Sequence, residues 1–139
     1  MAHFHNTALI GASGQGGYQI ERSLRFDGSA YLNRTPASSG NPARWTFSAW
    51  IKRSKLGTAQ TLISATYQSP DYTAHFSFDS SDRLVYRNRW GTDDEHYVTT
   101  QVFRDTSAWY HIVLAVDLSQ ASGSNGFKLY VNNTQMGLS

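Results

Sequence analysis

Hydrophobic and polar residues alternate along most of this chain with a period of two. The clearest case is residues 45–52, where Trp45, Phe47, Ala49 and Ile51 alternate with mostly polar neighbours. Such alternation predicts a β-strand with one buried face, because successive side chains of a strand point to opposite faces of the sheet. No segment shows the spacing of an amphipathic helix.

The alternation recurs in short segments that turn-forming residues separate. It predicts about nine strands, at residues 23–26, 30–32, 45–52, 61–67, 73–78, 83–90, 97–103, 109–117 and 127–132. The Asp27–Gly28 dipeptide predicts a tight turn between the first two strands, and residues 91–95 form a predicted acidic turn. Short strands at this spacing are typical of an antiparallel β-sandwich.

The phase of the alternation identifies a candidate core. One face of the strands is predicted to be buried, and it comprises Phe47, Ile51, Ile112, Leu114, Val116 and Leu129. His111 lies within one of these strands, and we predict that it is a hydrogen-bonded structural residue.

Several segments, taken in order, resemble one known family. They read SLRFDGSAYL at residues 23–32, WTFSAWIK at 45–52, LISA at 62–65, WYHIVLAVD at 109–117 and FKLYVN at 127–132. Together they resemble the strands of laminin-G-like domains of the concanavalin A-like lectin/glucanase superfamily, over about residues 22–136. The resemblance implies an all-β jelly-roll sandwich of antiparallel strands, and binding or structural roles rather than catalysis.

The first residues of the chain differ in composition from the rest. Residues 11–17 contain Gly11, Gly14, Gly16 and Gly17, and glycine disfavours regular structure because it loses the most conformational freedom on ordering. We therefore predict an extended N-terminal arm over residues 1–20 and a sandwich over residues 21–139. Laminin-G-like domains normally continue beyond the last hairpin seen here. Either the domain lacks its closing strands, which would leave sheet edges uncovered, or the chain is part of a longer protein.

The arm is a candidate partner-binding segment. An extended, glycine-rich backbone can lie along a neighbouring protein and add hydrogen bonds to an exposed sheet edge. Its larger side chains are spaced between small residues, and we predict that they contact the partner: His3, Phe4, Leu9, Ile10, Tyr18 and Ile20.

Part of the chain is similar to laminin-G-like domains of tailed-bacteriophage structural proteins. The similarity covers residues 11–18, 22–26, 31–38, 52–57 and 99–111. It implies a non-enzymatic virion protein, such as a component of a tail fibre or other surface appendage, attached through the N-terminal arm. The implied partners are other virion proteins and further copies of this chain. The implied location is the virion, after assembly in the cytoplasm of the bacterial host.

A carbohydrate-binding module that recognises host-surface glycans is the alternative. Aromatic residues make up 14% of the chain, and flat rings can stack on the apolar face of a sugar. The candidate glycan-binding residues are Trp90, Asp93 and Tyr97. A wider platform adds the rings of Trp50 and Tyr67 and the polar side chains of Asn88 and Gln101. Packing of these rings between the sheets or against neighbouring subunits is the competing interpretation.

Charge and composition argue against several classes of partner and structure. The 12 Lys and Arg residues exceed the 10 Asp and Glu residues by only two and are scattered, so we predict no nucleic-acid binding. The chain has no cysteine, which excludes a disulfide framework. No apolar run approaches the length of a membrane span, and no membrane insertion is predicted.

Acidic residues provide two weaker candidates. Residues 93–95, with His96 beside them, offer oxygen ligands for calcium, but their spacing is not that of a known calcium loop. We predict no cofactor, with calcium as the weaker alternative. Asp79 and Asp82 are a second carboxylate pair, and glycoside cleavage needs two carboxylates that face one cleft. The E-x-D-x-E pattern of the superfamily's glycosidases is absent, so the chain is not predicted to be an enzyme.

Overall fold

The computed structural model of this chain describes residues 23–66, 69–120 and 126–139. These residues form eight β-strands and no α-helix, which confirms the predicted all-β class. Tertiary contacts divide the chain into Met1–Ser38 and Ser39–Ser139. The two parts are described separately, and all eight strands belong to the second.

The strands follow one another through short connections. In chain order they are β1 (Arg44–Lys52), β2 (Gln60–Thr66), β3 (Tyr72–Phe78), β4 (Arg83–Trp90), β5 (Asp93–Val102), β6 (Trp109–Asp117), β7 (Phe127–Val131) and β8 (Thr134–Gln135). Seven of them lie at positions that the alternating pattern predicts. The short β8 is additional.

The strands form two antiparallel sheets of four strands each. The first sheet has the order β1-β6-β7-β8 and the second has the order β2-β3-β4-β5. Aromatic rings bridge the sheets, with Trp45 of β1 at 5.9 Å from Tyr86 of β4 and Phe47 at 5.9 Å from Phe76 of β3. The two sheets therefore enclose a common core, as expected for the predicted sandwich.

Burial confirms most of the predicted core. Ile112, Leu114, Val116 and Leu129 are at most 3% exposed. Phe47 and Ile51 pack against this cluster but are only half-buried. Both belong to β1, which is an edge strand of the first sheet and is covered on fewer sides than β6 and β7.

A buried ionic network joins the loops at one end of the sandwich. Asp82, in the β3–β4 turn, accepts hydrogen bonds from the backbone N–H of Gly57 at 2.8 Å and from Arg104 at 3.0 Å. Its carboxylate also lies 2.9 Å from the guanidinium of Arg53, which donates a hydrogen bond to the carbonyl of Phe103. The Gly57 N–H and the two arginines hold the pKa of Asp82 below its usual value. The network thus fixes three loops through satisfied charges.

The predicted strands at residues 23–26 and 30–32 are not formed, and this prediction is wrong. The tight turn between them is present, because Gly28 has a φ of 97° and the Asp27 carboxylate accepts hydrogen bonds from the backbone of Ser29 and Ala30. The side chain of Asp27 therefore builds the turn without any pairing of the flanking segments.

Local alternation is insufficient for strands in this segment. Residues 23–43 contain no strand, and the large apolar side chains of Leu24, Tyr31 and Leu32 are each more than 70% exposed. An isolated two-stranded hairpin is only marginally stable in water, because it needs a further surface on which to bury its apolar face.

The predicted acidic turn at residues 91–95 is also wrong. The turn between β4 and β5 is limited to Gly91 and Thr92, and β5 begins at Asp93. Gly91 has a φ of 64°, which glycine adopts at little cost, so a two-residue connection suffices. The acidic residues consequently lie on a strand, where their side chains alternate between the two faces.

The last residues of the chain pass from the first sheet to the second. A turn at Asn132 and Asn133, both with positive φ, leads into β8 beside β7. Residues 137–139 then pair with β5, where Ser139 and Val98 exchange two backbone hydrogen bonds of 2.9 and 3.0 Å. The expectation of uncovered sheet edges is therefore wrong for this part of β5.

Candidate functional site

The inner face of the second sheet continues from the core to an exposed end. Tyr86 of β4 is 5% exposed, whereas Trp90, four residues further along the same face, is 62% exposed. Trp90 is the register partner of Tyr72 on β3 and of Asp93 on β5. Directly paired residues share a face, so these three side chains form one row across the sheet. We call this row and its neighbours the Trp90 site.

The indole of Trp90 is held by an aromatic neighbour. The ring of Tyr72 lies 4.9 Å from that of Trp90, with an angle of 76° between the ring planes. Edge-to-face contacts of this kind are a preferred arrangement of aromatic pairs. The contact orients the indole while most of its surface remains accessible.

The second row of the site is polar. Asn88 of β4 pairs with Glu95 of β5, and both lie one row closer to the core than Trp90 and Asp93. Asp93 and Glu95 are two residues apart on one strand, so their positions are about 7 Å apart on the same face. The site therefore combines an exposed aromatic ring with two carboxylates and one amide.

Asp94 lies between these two acids but belongs to the opposite face. Its carboxylate accepts a hydrogen bond of 2.7 Å from Nε of Arg87. This arginine holds the pKa of Asp94 below its usual value. The predicted acidic cluster at residues 93–95 is thus divided between two faces, and the described segments contain no group of three acidic or histidine side chains that would hold a metal ion.

Asp93 and Glu95 differ from the other carboxylates in the described ranges. Those at positions 71, 79, 82, 94 and 117 form ion pairs with arginines. Asp27 and Asp105 accept hydrogen bonds from a nearby serine. No described residue forms a hydrogen bond or ion pair with the side chain of Asp93, Glu95 or Asn88. Among the described residues, these three polar groups therefore have no partner that a ligand would need to displace.

Two tyrosines lie near Glu95 on the core side of the site. Burial raises the pKa of Tyr86 to about 12, and the negative charge of Glu95 contributes to the rise. Burial, and then Glu95, also raise the pKa of Tyr97. Both phenols keep their protons at neutral pH, and the carboxylate of Glu95 lies on the same side of the sheet as their rings.

The predicted glycan-binding residues are only partly brought together. Trp90 and Asp93 are direct neighbours across β4 and β5. Tyr97 shares their face but lies four residues from Asp93, about 14 Å along the strand. Its ring packs at 4.4 Å from that of Phe127, so Tyr97 forms the border between the site and the core.

The wider aromatic platform predicted from the sequence is not formed. Trp50 lies on the outer face of the first sheet, stacked at 4.9 Å on the ring of His111. Gln101 lies toward the far end of β5, and Tyr67 is outside the described residues. The ring of His111 is hydrogen-bonded to Ser48 at 3.2 Å, as expected for a structural histidine.

The carboxylates of Asp79 and Asp82 are engaged in turns and ion pairs. Asp79 accepts hydrogen bonds from the backbone of Ser81 and Arg83 and lies 2.8 Å from the guanidinium of Arg83. Asp82 forms the buried loop network described above. Neither residue provides an available carboxylate of the kind that glycoside cleavage requires.

Two members of the site, Tyr72 and Glu95, are not among the residues predicted to bind a glycan. Tyr72 precedes the alternating residues of β3, and Glu95 falls in the predicted turn at residues 91–95, because the acidic run conceals where β5 begins. A two-residue turn at Gly91 would have extended the alternation back to Asp93 and placed Glu95 on the face of Trp90.

Two further predictions concern partner binding by the N-terminal arm and membrane insertion. The candidate arm residues are outside the described residues, and their role in partner binding stays a prediction: His3, Phe4, Leu9, Ile10, Tyr18 and Ile20. Within the described segments there is no helix with the length and apolarity of a membrane span.

Comparison with family models defines the class of this fold and site. A laminin G model described as the concanavalin A-like lectin/glucanases superfamily matches residues 26–139. The chain therefore belongs to this superfamily, and the match includes all eight strands and the Trp90 site. Neither the curated proteins nor the solved structures gave a match to the chain.

Proposed function

We propose that this protein is a non-enzymatic carbohydrate-binding module and that the Trp90 site binds the sugar. The observation that carries the proposal is the exposed indole of Trp90, oriented by Tyr72 and adjoined by Asp93, Asn88 and Glu95. The C–H face of a pyranose stacks on the indole, while the carboxylate and amide oxygens accept hydrogen bonds from its hydroxyl groups. Membership of a lectin-containing superfamily supports this assignment.

A binding role agrees better with the site than a catalytic one. The superfamily's glycosidases carry two glutamates at positions i and i+4 of one strand, as the E-x-D-x-E pattern implies. The glutamate of the site is Glu95, and the residues four positions before and after it are Gly91 and Thr99, neither of which has a carboxylate. We propose accordingly that the module acts without hydrolysis and without a cofactor.

Glycan-array binding with matched tryptophan variants tests this proposal. Trp90→Ala should weaken binding about tenfold or more, because it removes the stacking surface. Trp50→Ala is the control, since Trp50 is 54% exposed but lies on the other sheet. The same oligosaccharides should release no new reducing ends on prolonged incubation. Equal binding by both variants, or no glycan bound by the unaltered chain, would refute the proposal.

We further propose that this module acts on the surface of a tailed-bacteriophage particle, as part of a tail fibre or other appendage. The support is the similarity of residues 11–18, 22–26, 31–38, 52–57 and 99–111 to domains of phage structural proteins. In this setting its partners are other virion proteins, further copies of the chain and a glycan of the host surface. It would be assembled into the virion within the bacterial cytoplasm.

Incorporation into particles tests the structural role separately from sugar binding. Deletion of residues 2–17 should remove the protein from purified particles while leaving the melting temperature of the sandwich nearly unchanged. Trp90→Ala is the matched control and should be incorporated normally. Normal incorporation of the truncated chain would contradict attachment through the arm, and unfolding of the truncated chain would show that the arm is part of the domain.

A further inference from the structure

The charged side chains on the two faces of the β4–β5 pair differ in whether they have partners of opposite charge. Arg87 and Arg89 alternate onto the outer face, where they pair with Asp94 and Asp71. Asp93 and Glu95 alternate onto the inner face, beside Trp90, and no described cation pairs with either of them. The inner face of this end of the sheet is therefore anionic, although the chain as a whole has a net charge of +2.

Trp90 also favours a positively charged group on the ligand. The face of an indole attracts cations, because its π-electrons place negative charge above and below the ring. An ammonium group held at the edge of a stacked sugar would lie against the indole and within reach of Asp93, Glu95 or both. A carboxylate or sulfate in that position would be repelled by both acids.

We infer that the Trp90 site selects sugars that carry a protonated amino group over neutral sugars, and rejects sugars that carry a negative charge. This inference rests on the proposed function, since it concerns the same site. An amino sugar satisfies both parts of the site, because its ring has an apolar face for Trp90 and its edge has an ammonium group for Asp93 and Glu95. A single exposed contact between ammonium and carboxylate strengthens binding by up to about fivefold, so two acids and the indole together should give about a tenfold preference.

Matched oligosaccharides test the selectivity directly. Calorimetric titration of the full chain would compare glucosamine oligomers with N-acetylglucosamine oligomers of equal length, in which acetylation removes the charge. Galacturonate oligomers supply the anionic ligand. The glucosamine oligomer should bind about tenfold more tightly than its acetylated form, the galacturonate oligomer should not bind, and added salt should reduce the difference.

Three variants assign the preference to its residues. The double variant Asp93→Asn, Glu95→Gln should lose most of the preference for the glucosamine oligomer and keep only the part that the indole provides, while Trp90→Ala should weaken binding of both oligomers. Asp94→Asn is the control, because this acid is adjacent in sequence but lies on the outer face. The melting temperature of the double variant should match that of the unaltered chain, since neither carboxylate has a described partner to lose.

The outcomes separate the selectivity from sugar binding itself. Equal affinity for charged and neutral sugars, tight binding of galacturonate, or a preference that stays at its full size in the double variant would overturn the inference and leave the proposed function standing. A lysine-rich peptide that binds as tightly as the glucosamine oligomer would overturn the assignment to sugars. Binding of none of these oligosaccharides would remove both the inference and the sugar site on which it rests.

Discussion

Leu114 shows how strongly a single inward-facing residue of β6 contributes to this sandwich. Its side chain is 1% exposed and lies in the core between the two sheets. Leu114→Ala should lower the free energy of unfolding by about 2–5 kcal/mol, through lost burial and the cavity that remains. Urea denaturation measures this loss. Leu118→Ala, at a site that is 45% exposed, should change the same quantity by less than about 0.5 kcal/mol. Similar losses at both sites would contradict the assignment of the inward face.

His75 makes stability depend on pH. Burial lowers the pKa of His75 below its usual value, and the charges of Arg87 and His96 on the neighbouring strands add to this effect against the opposing charge of Asp94. The unfolded chain therefore binds the proton more readily than the folded one. This contribution to stability is present above the ordinary histidine pKa of about 6.5 and is lost as pH falls through the folded value.

The corresponding prediction compares the unaltered chain with His75→Asn. The melting temperature of the unaltered chain should fall as pH decreases from about 7 toward 5. His75→Asn should show a smaller fall, because it lacks the group that takes up the proton. His96→Asn is an informative companion, since it removes one of the causes that lower the pKa of His75 and should therefore make the fall smaller. Parallel curves for the unaltered chain and His75→Asn would contradict this account.

Individual residues of the site could be predicted where the alternation of hydrophobic and polar residues shows which face of the strand a side chain occupies. Trp90 and Asp93 were identified together from the sequence, and they are direct partners in the structure. Trp50 was wrongly grouped with them, because alternation shows which way a side chain points within its own strand but not which sheet the strand joins. That second property depends on pairing between distant segments, as between β1 and β6.

At the scale of elements, most strand bounds were predicted closely, and the exceptions are the start of β5 and the segments before residue 44. β1, β6 and β7 begin and end within one or two residues of the predicted bounds, because one face of each lies against the core. The segments at residues 23–26 and 30–32 show the same alternation and form no strand. Alternation shows that a segment is able to form a strand, but the strand forms only where a partner strand is available for hydrogen bonding.

The loop network around Asp82 provides a prediction for the connections between elements. Arg53 is 3% exposed and joins Asp82 to the carbonyl of Phe103. Arg53→Met should lower the free energy of unfolding by about 1–3 kcal/mol, because the buried Asp82 carboxylate and the Phe103 carbonyl each lose a partner. Chemical denaturation is the measurement.

A surface arginine supplies the control for this network. Arg44→Met removes an ion pair with Asp117 in which the arginine side chain is 61% exposed. Its effect on the free energy of unfolding should be far smaller, since water and salt screen exposed pairs. Comparable losses for the two variants would show that the loops are held by other contacts.

For the molecule as a whole, the alternating pattern and its turns were enough to predict an antiparallel sandwich. They did not predict the orders β1-β6-β7-β8 and β2-β3-β4-β5, since strand order is set by contacts between residues far apart in the sequence. The site depends on this order, because Tyr72, Trp90 and Asp93 become one row only when β3, β4 and β5 lie side by side. The full set of residues in the site therefore could not be predicted from the alternating pattern.

The pairing of residues 137–139 with β5 has a mechanical consequence. A pull applied at Ser139 meets the backbone hydrogen bonds to Val98 and to Thr100 before it reaches β8, so the load enters the molecule through the second sheet. β5 also carries Asp93 and Glu95, at its start. Tension at Val98 and Thr100 therefore acts on the same backbone segment that holds the two carboxylates in place.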